Sequence, residues 1–172
     1  MTTAKPVLCS LASAALVFLL SAGNARAAAA QPAVQALPAL GAELSGLTVS
    51  GISSGAYMAV QFQVAHSQLV RGAGVLAGGP YDCAEGSIRR ALTACMSPSW
   101  WAAVPSVAEL RAQAEALAKA GRIDPLEGLR DDRVWLFSGG KDSVVDTAVM
   151  ERLAAFYGQW IAPTAIRFVR LP

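Results

Sequence analysis

The stretch GISSG at residues 51–55 constrains the fold most, because it joins two apolar runs of different length. The short run at residues 47–50 predicts a strand, and the longer one at 55–67, apolar on most sides, predicts a buried helix. A G-x-S-x-G pattern between a strand and a helix is typical of a nucleophile elbow, a sharp turn that lifts a serine hydroxyl clear of a sheet. The sequence therefore predicts Ser53 at the tip of that turn, with the backbone N–H of Ser54 pointing at a developing oxyanion.

The glycines on either side, Gly51 and Gly55, are both expected to leave room for this turn. The alternative is an ordinary Gly-Ser turn, because a chain this rich in glycine and serine matches the pattern by chance about one time in ten. The strand before the pattern and the helix after it favour the elbow.

Strands and helices alternate along the rest of the chain. Ser106, followed three residues later by Glu109, forms a capping box, so a helix is expected after it, with Gly121 as its stop. Asp146 is expected to cap another helix. Further strands are predicted at residues 73–77, 133–137 and 165–171. This order predicts the α/β class, as a three-layer sandwich with a mostly parallel sheet and helices on both faces.

The first 27 residues have the layout of a secretory signal peptide. Lys5 precedes an apolar stretch, and Ala25-Arg26-Ala27 is a small-x-small cleavage site. The alternative, a membrane anchor, needs about 20 uninterrupted apolar residues, and this stretch is shorter. We therefore expect export to the periplasm or the extracellular medium, no membrane anchor after cleavage, and an Ala- and Pro-rich flexible lead-in at residues 28–46.

Cleavage would remove Lys5 and Arg26 and leave equal numbers of acidic and basic residues. No basic run remains, which argues against nucleic acid as a partner. Two of the three cysteines also remain, Cys83 and Cys95, and an even pair in an exported chain predicts a disulfide, with two buried thiols as the alternative. No third Cys or flanking His completes a zinc site, and we expect no metal or cofactor.

The stretch SGGKDS at residues 138–143 allows two interpretations. It resembles the SGGxDS loop of the ATP-pyrophosphatases, which cradles pyrophosphate at a helix N-terminus. That loop normally follows the first strand of a nucleotide domain, whereas only about thirty residues follow this one, and an exported chain does not meet ATP. We therefore favour the second interpretation, in which Asp142 follows a strand and is the acid of a catalytic triad.

A base is missing from this arrangement. The chain has one histidine, His66, and thirteen helical residues would place it about 20 Å from Ser53. Hydrogen bonding requires about 3 Å, so His66 is expected to be a helix-end residue. In α/β-hydrolases the histidine follows the next strand after the acid, here residues 165–171. Because the sequence stops at Pro172, we expect a chain truncated at its C-terminus, with an incomplete fold.

Trp100 and Trp101 lie in an irregular segment, residues 81–105, that also carries both cysteines. Exposed aromatic side chains beside an active site could grip a hydrophobic polymer. The alternative is that they fill the core beneath the segment, and the sequence does not decide between the two.

Four separated blocks resemble the secreted poly(3-hydroxybutyrate) depolymerases and their related esterases. They are TVSGISSGAYMAVQFQVAHS, GAGVLAGGPYDCA, ACM and GRIDPLEGLRDDRVWLFSGGKDSVVD, and the similarity extends over residues 36–172. The resemblance implies an α/β-hydrolase fold with an elbow near the mature N-terminus, as in a circularly permuted arrangement, and makes residues 47–172 a partial catalytic domain. It also implies that Ser53 is the nucleophile, Asp142 the acid and Ser54 an oxyanion donor, with no counterpart of the family's histidine.

The resemblance therefore implies a secreted serine esterase that hydrolyses polyester bonds of the poly-3-hydroxybutyrate kind. Two alternatives stay open. One is a small-ester or feruloyl-type esterase on the same scaffold. The other is an inactive remnant or a non-catalytic exported binding module, which the missing histidine favours. The oligomeric state is not predictable from the sequence.

Overall fold

The computed structural model of this protein describes residue 36 and residues 38–172. The predicted signal peptide at residues 1–27 lies outside the described residues, as do residues 28–35 and 37 of the predicted lead-in at residues 28–46. The chain divides into two units, Met1–Leu40 and Gly41–Pro172, and every helix and strand described belongs to the second. The end of the predicted lead-in forms a single 3-10 turn, Leu44–Gly46.

A four-stranded parallel sheet organises the second unit, and its strands lie in the same order as in the sequence. The strands are β1 Thr48–Ile52, β2 Gly72–Leu76, β3 Arg133–Gly139 and β4 Ile166–Leu171. The helices are α1 Ser54–Ala65, α2 Ile88–Leu92, α3 Val107–Lys119 and α4 Thr147–Tyr157. Short 3-10 turns at Leu126–Asp131 and Pro163–Ala165 precede the last two strands.

The caps that the sequence predicts are present. At α3 the Ser106 hydroxyl accepts from the Glu109 N–H, and the Glu109 carboxylate accepts from the Ser106 N–H at 2.7 Å. The Asp146 carboxylate accepts from the Ala148 N–H at 2.7 Å and starts α4. Each cap provides an acceptor for an N–H that has no partner within the helix, which is why these local patterns fix where the helices begin.

The described helices cover one face of the sheet. Alternate strand residues point at α1, α3 and α4, and one row in register across all four strands is Gly51, Val75, Leu136 and Phe168. The expected helices on both faces are therefore not found among the described residues, although the α/β class and the parallel sheet are as expected. The reason is the strand order: right-handed crossovers that all advance in one direction place their helices on the same face.

The opposite face of the sheet is open to solvent in the part of the chain that the structure describes. Ile52 is 67% exposed and Trp135 is 41% exposed, and Trp135 stacks on Phe137 with ring centroids 5.9 Å apart. A row of apolar side chains in register crosses this face near the carboxyl ends of the strands: Ile52, Leu76, Phe137 and Val169. Parallel sheets in stable proteins are covered on both faces, so the exposed face of this sheet departs from the usual arrangement.

A buried polar chain joins α1, the start of β3 and α4. The Gln63 amide donates to Asp132 Oδ2 at 2.9 Å, and the Tyr157 hydroxyl donates to Gln63 Oε1 at 2.7 Å. All three side chains are fully buried. Burial raises the pKa of Asp132 above its ordinary value, and the Gln63 hydrogen bond and the Arg71 charge oppose that rise.

The Asp132→Asn variant is expected to change how stability depends on pH. Because the pKa of Asp132 is raised in the folded state, the folded protein holds this proton more tightly than the unfolded chain does. The free energy of unfolding therefore falls as pH rises from about 4 through the raised pKa, and asparagine removes that contribution. Urea denaturation of both proteins between pH 4 and pH 7 measures the difference, and parallel curves would contradict the assignment.

Candidate active site

Ser53 sits at a strained turn between β1 and α1. Its backbone has φ 52° and ψ −123°, a conformation that non-glycine residues rarely adopt. The Ser53 N–H donates to the Leu76 carbonyl at 2.9 Å, and the Ser53 carbonyl accepts from the Tyr57 N–H at 3.0 Å. The sheet and the helix thus both hold the turn, and the Ser53 side chain is exposed at the carboxyl end of β1. This is the backbone geometry of a nucleophile elbow.

The two glycines of the pattern have unequal roles. A Cβ on Gly51 would lie 2.3 Å from the carbonyl carbon and oxygen of Gly55, so α1 could not begin where it does. A Cβ on Gly55 would meet nothing within 4 Å among the described residues. The expectation that both glycines make room for the turn is therefore half right. The missing side chain of Gly51 leaves space for the backbone of Gly55, and Gly55 itself has no such role.

Ser54 is the first residue of α1. The N–H groups of a first turn have no acceptor within their helix, and the positive end of the helix dipole lies there. The Ser54 N–H is therefore available to an oxyanion that forms on a group attacked by Ser53.

Asp142 lies in the loop that follows β3. Its Oδ1 accepts from the N–H groups of Val144 at 2.9 Å and Val145 at 3.0 Å, which fixes the orientation of the carboxylate. Oδ2 accepts no hydrogen bond from any residue that the structure describes. Because neighbouring strands lie about 4.8 Å apart, the ends of β1 and β3 lie about 10 Å from each other, on either side of β2. A triad would need an imidazole between Ser53 and Asp142 that hydrogen-bonds both side chains.

His66 does not bridge them. It is the C-cap residue of α1, and its ring lies on Phe62 with centroids 4.6 Å apart. This agrees with the expectation that it is a helix-end histidine, one helix length away from Ser53.

A pocket of about 450 Å³ opens beside Ser53. One wall is α1, with Tyr57 and Gln61, and the other is the segment that the Cys83–Cys95 disulfide closes. Asp82 and Glu85, two of the four non-glycine residues with positive φ in the described chain, also line it, as does Ser53 itself. Strained backbone gathers at functional sites more often than elsewhere, which favours this pocket as the binding site.

Tyr57 and Gln61 are site residues that the sequence did not reveal. They are spaced i, i+4, so they share one side of α1, and this spacing was the only signal, because Ser54 and Gln63 are polar residues of the same helix. Burial raises the pKa of the Tyr57 phenol, and the Asp142 charge raises it further, so the phenol stays protonated.

Trp100 and Trp101 do not fill the core. They are 94% and 59% exposed at the tip of a turn that the Ser99–Ala102 bridge closes. The structure therefore excludes the alternative in which these two side chains fill the core beneath the segment. Among residues 36 and 38–172, no group of three or more His, Cys, Asp or Glu side chains could hold a metal ion. No helix of that part is long and apolar enough to cross a membrane.

Curated relatives decide which family this site belongs to. A poly(3-hydroxybutyrate) depolymerase of Delftia acidovorans is 46% identical over 126 residues, which are 73% of this chain and 25% of that protein. A polyhydroxybutyrate depolymerase of Talaromyces funiculosus is 34% identical over 142 residues, 82% of this chain and 40% of that protein. The chain belongs to the polyhydroxybutyrate depolymerase family. No family model matches it.

Two solved structures place the fold in the same family. The crystal structure of PHB depolymerase from Penicillium funiculosum superposes with a TM-score of 0.67 and 31% identity, over 79% of this chain and 41% of that one. A serine-to-alanine variant of PHB depolymerase complexed with an R3HB trimer gives the same TM-score at 30% identity. The predicted α/β fold and the family resemblance are thus confirmed, and the chain spans between a quarter and about two fifths of the length of the relatives it matches.

Proposed function

We propose that this protein hydrolyses ester bonds of a hydrophobic polyester of the poly-3-hydroxybutyrate type, with Ser53 as the nucleophile. The observation that carries the proposal is the strained turn at Ser53, set at the mouth of a pocket in a chain of the PHB depolymerase family. The family relation supports the substrate class, since one solved relative is complexed with an R3HB trimer.

Ser53 Oγ attacks the ester carbonyl, its proton passes to a histidine, and the alcohol leaves with that proton to give an acyl-serine. The Ser54 N–H stabilises the oxyanion, and Asp142 Oδ2 accepts from the imidazole. Water then releases the acid and restores the serine. His66, the one histidine among residues 36 and 38–172, caps the far end of α1 and does not fit this role. The Gly140 N–H donates to the Leu171 carbonyl at 2.7 Å, which puts the end of β4 beside the Asp142 loop.

Trp100 and Trp101 extend the proposal to the polymer surface. They follow in sequence the segment that forms one wall of the pocket, and their exposed rings suit an apolar solid that the pocket alone could not grip. We propose an exported location for the chain because residues 1–27 have the layout of a secretory signal peptide.

Imidazole added to the chain tests this function directly. If only the base is missing, free imidazole should accept the Ser53 proton and raise the hydrolysis of p-nitrophenyl butyrate. We expect a gain of about 10-fold or more over imidazole in buffer alone, because a positioned base contributes about 10²-fold to 10⁴-fold and a diffusing one recovers part of that. A rate equal to that of imidazole alone would contradict the proposal.

A parallel assay separates a polymer-degrading enzyme from a small-ester esterase. The same protein and imidazole are incubated with poly-3-hydroxybutyrate granules, and clearing of the suspension is followed. Clearing supports the polyester assignment. Turnover of the aryl ester without clearing would assign the chain to the small-ester alternative instead.

A further inference from the structure

Two hydrogen bonds join the walls of the pocket beside Ser53. We propose that Tyr57 and Gln61 are specificity-determining positioning residues, which hold these walls at a spacing that admits hydroxyacid units with short side chains and excludes longer ones. The proposal rests on the proposed function, because it concerns which ester unit binds beside Ser53.

Both bonds run from α1 to the same segment, residues 80–96, called here the disulfide arm. The Tyr57 hydroxyl donates to the Cys95 carbonyl, and Gln61 Oε1 accepts from the Asp82 N–H at 3.0 Å. Cys95 and Asp82 lie near opposite ends of the arm in sequence, and the disulfide brings these ends together, with the Cα atoms of Cys83 and Cys95 6.0 Å apart. The two bonds therefore hold the base of the arm against α1.

Several contacts attach the disulfide arm to the body of the protein. Tyr81 packs in the main core, the Gln113 amide donates to Glu85 Oε1, and the Asp146 N–H donates to the Met96 carbonyl at 2.8 Å.

The contacts between the arm and α1 involve different residues. Cys83, Ala94 and Cys95 form a buried cluster separate from the main core, and Tyr57 is the α1 side chain that packs against it. Tyr57 and Gln61 are the described α1 side chains whose hydrogen bonds reach the arm, so they join the two walls of the pocket directly.

The Tyr57 ring has no room to retreat from the arm. A Cβ on Gly79 would lie 2.5 Å from its Cε1 atom and 2.8 Å from its hydroxyl oxygen, so the ring is wedged between Gly79 and Cys95. The raised pKa keeps the phenol protonated and able to donate. The ring thus acts as a rigid spacer that fixes the distance between the two walls of the pocket. Each methylene of a substrate side chain that does not fit between the walls costs binding energy.

The test compares the hydrolysis of a short and a long ester by proteins that differ at Tyr57 or Gln61. Hydrolysis of p-nitrophenyl butyrate and p-nitrophenyl octanoate is measured in imidazole for the native chain, Tyr57→Phe and Gln61→Leu. Each variant should raise the octanoate-to-butyrate ratio of kcat/KM by about 5-fold to 10-fold, mainly through a lower KM for octanoate. Tyr157→Phe is the matched control, since it removes a buried phenol oxygen outside the pocket and the arm and should leave the ratio unchanged.

A binding measurement keeps the test independent of turnover. The Ser53→Ala chain, with and without Tyr57→Phe, is titrated with methyl 3-hydroxybutyrate and methyl 3-hydroxyoctanoate, and displacement of an apolar fluorescent probe is read. A relative gain for the longer ester supports the proposal even if the native chain has no Ser53-dependent turnover, which would itself contradict the proposed function. An unchanged preference in Tyr57→Phe and Gln61→Leu would overturn the spacer role, whatever the activity.

Discussion

Ser53→Ala is expected to reduce imidazole-dependent ester hydrolysis to the rate of imidazole in buffer and to abolish labelling by a fluorophosphonate. The hydroxyl oxygen is the only non-hydrogen atom that the substitution removes, and in the proposed mechanism it is the atom that forms the acyl bond. No described side chain takes its place, because the neighbouring Ser54 begins α1 and the elbow conformation belongs to Ser53. The loss should therefore be complete.

The matched control is Ser50→Ala. Ser50 lies on β1 three residues earlier and points at the open face of the sheet, away from the pocket. It should keep both the labelling and the rate. Labelling is read by mass spectrometry of the peptide that contains residue 53, and label retained in Ser53→Ala at the native level would refute the nucleophile assignment.

Gly51→Ala and Gly55→Ala are expected to change stability in opposite directions. An alanine Cβ at position 51 would overlap the backbone of Gly55, so α1 must shift from β1 and the contacts below the elbow are lost. Overpacking costs about 1 to 3 kcal/mol where side chains can adapt, and backbone cannot, so we expect about 3 kcal/mol or more. At position 55 alanine meets nothing and restricts the unfolded chain, which should stabilise the fold by about 0.5 kcal/mol.

Urea denaturation followed by far-UV circular dichroism measures both variants. They change the same residue type within one turn of chain, so each is the control for the other. Equal losses of unfolding free energy would mean that the pattern needs small residues at both ends, as the sequence alone suggests. A loss at position 51 only would confirm that Gly51 alone makes room.

Local patterns predicted most of the elements because the physics behind them is local. The capping box at Ser106 and the cap at Asp146 each satisfy a helix N–H within three residues, and the structure has both. The strand at residues 133–137 was predicted two residues too short. Ser138 and Gly139 continue β3 because they pair with Arg170 and Leu171, residues some thirty positions away that no local pattern can include.

For the same reason, the sequence could not predict which faces of the sheet the helices cover. Alternating strands and helices fit either a sheet covered on both faces or one covered on a single face, and the difference is the direction in which successive strands are added. That direction depends on how whole strands pair. The sequence therefore predicted the α/β class, and the exposure of Ile52 and Trp135 followed only from the sheet order.

The elbow was predictable from the sequence, since a glycine two residues before Ser53, a strand before it and a helix after it are all local requirements. The sequence also placed Asp142 in a loop after a strand and identified the family through four blocks of residues. What surrounds Ser53 became known from the folded structure. The pocket wall depends on Tyr57 meeting Cys95 and on Gln61 meeting Asp82, contacts between residues 38 and 21 positions apart. Such contacts exist only once the chain has folded, because they depend on the position of the disulfide arm against α1 and not on any neighbour in sequence.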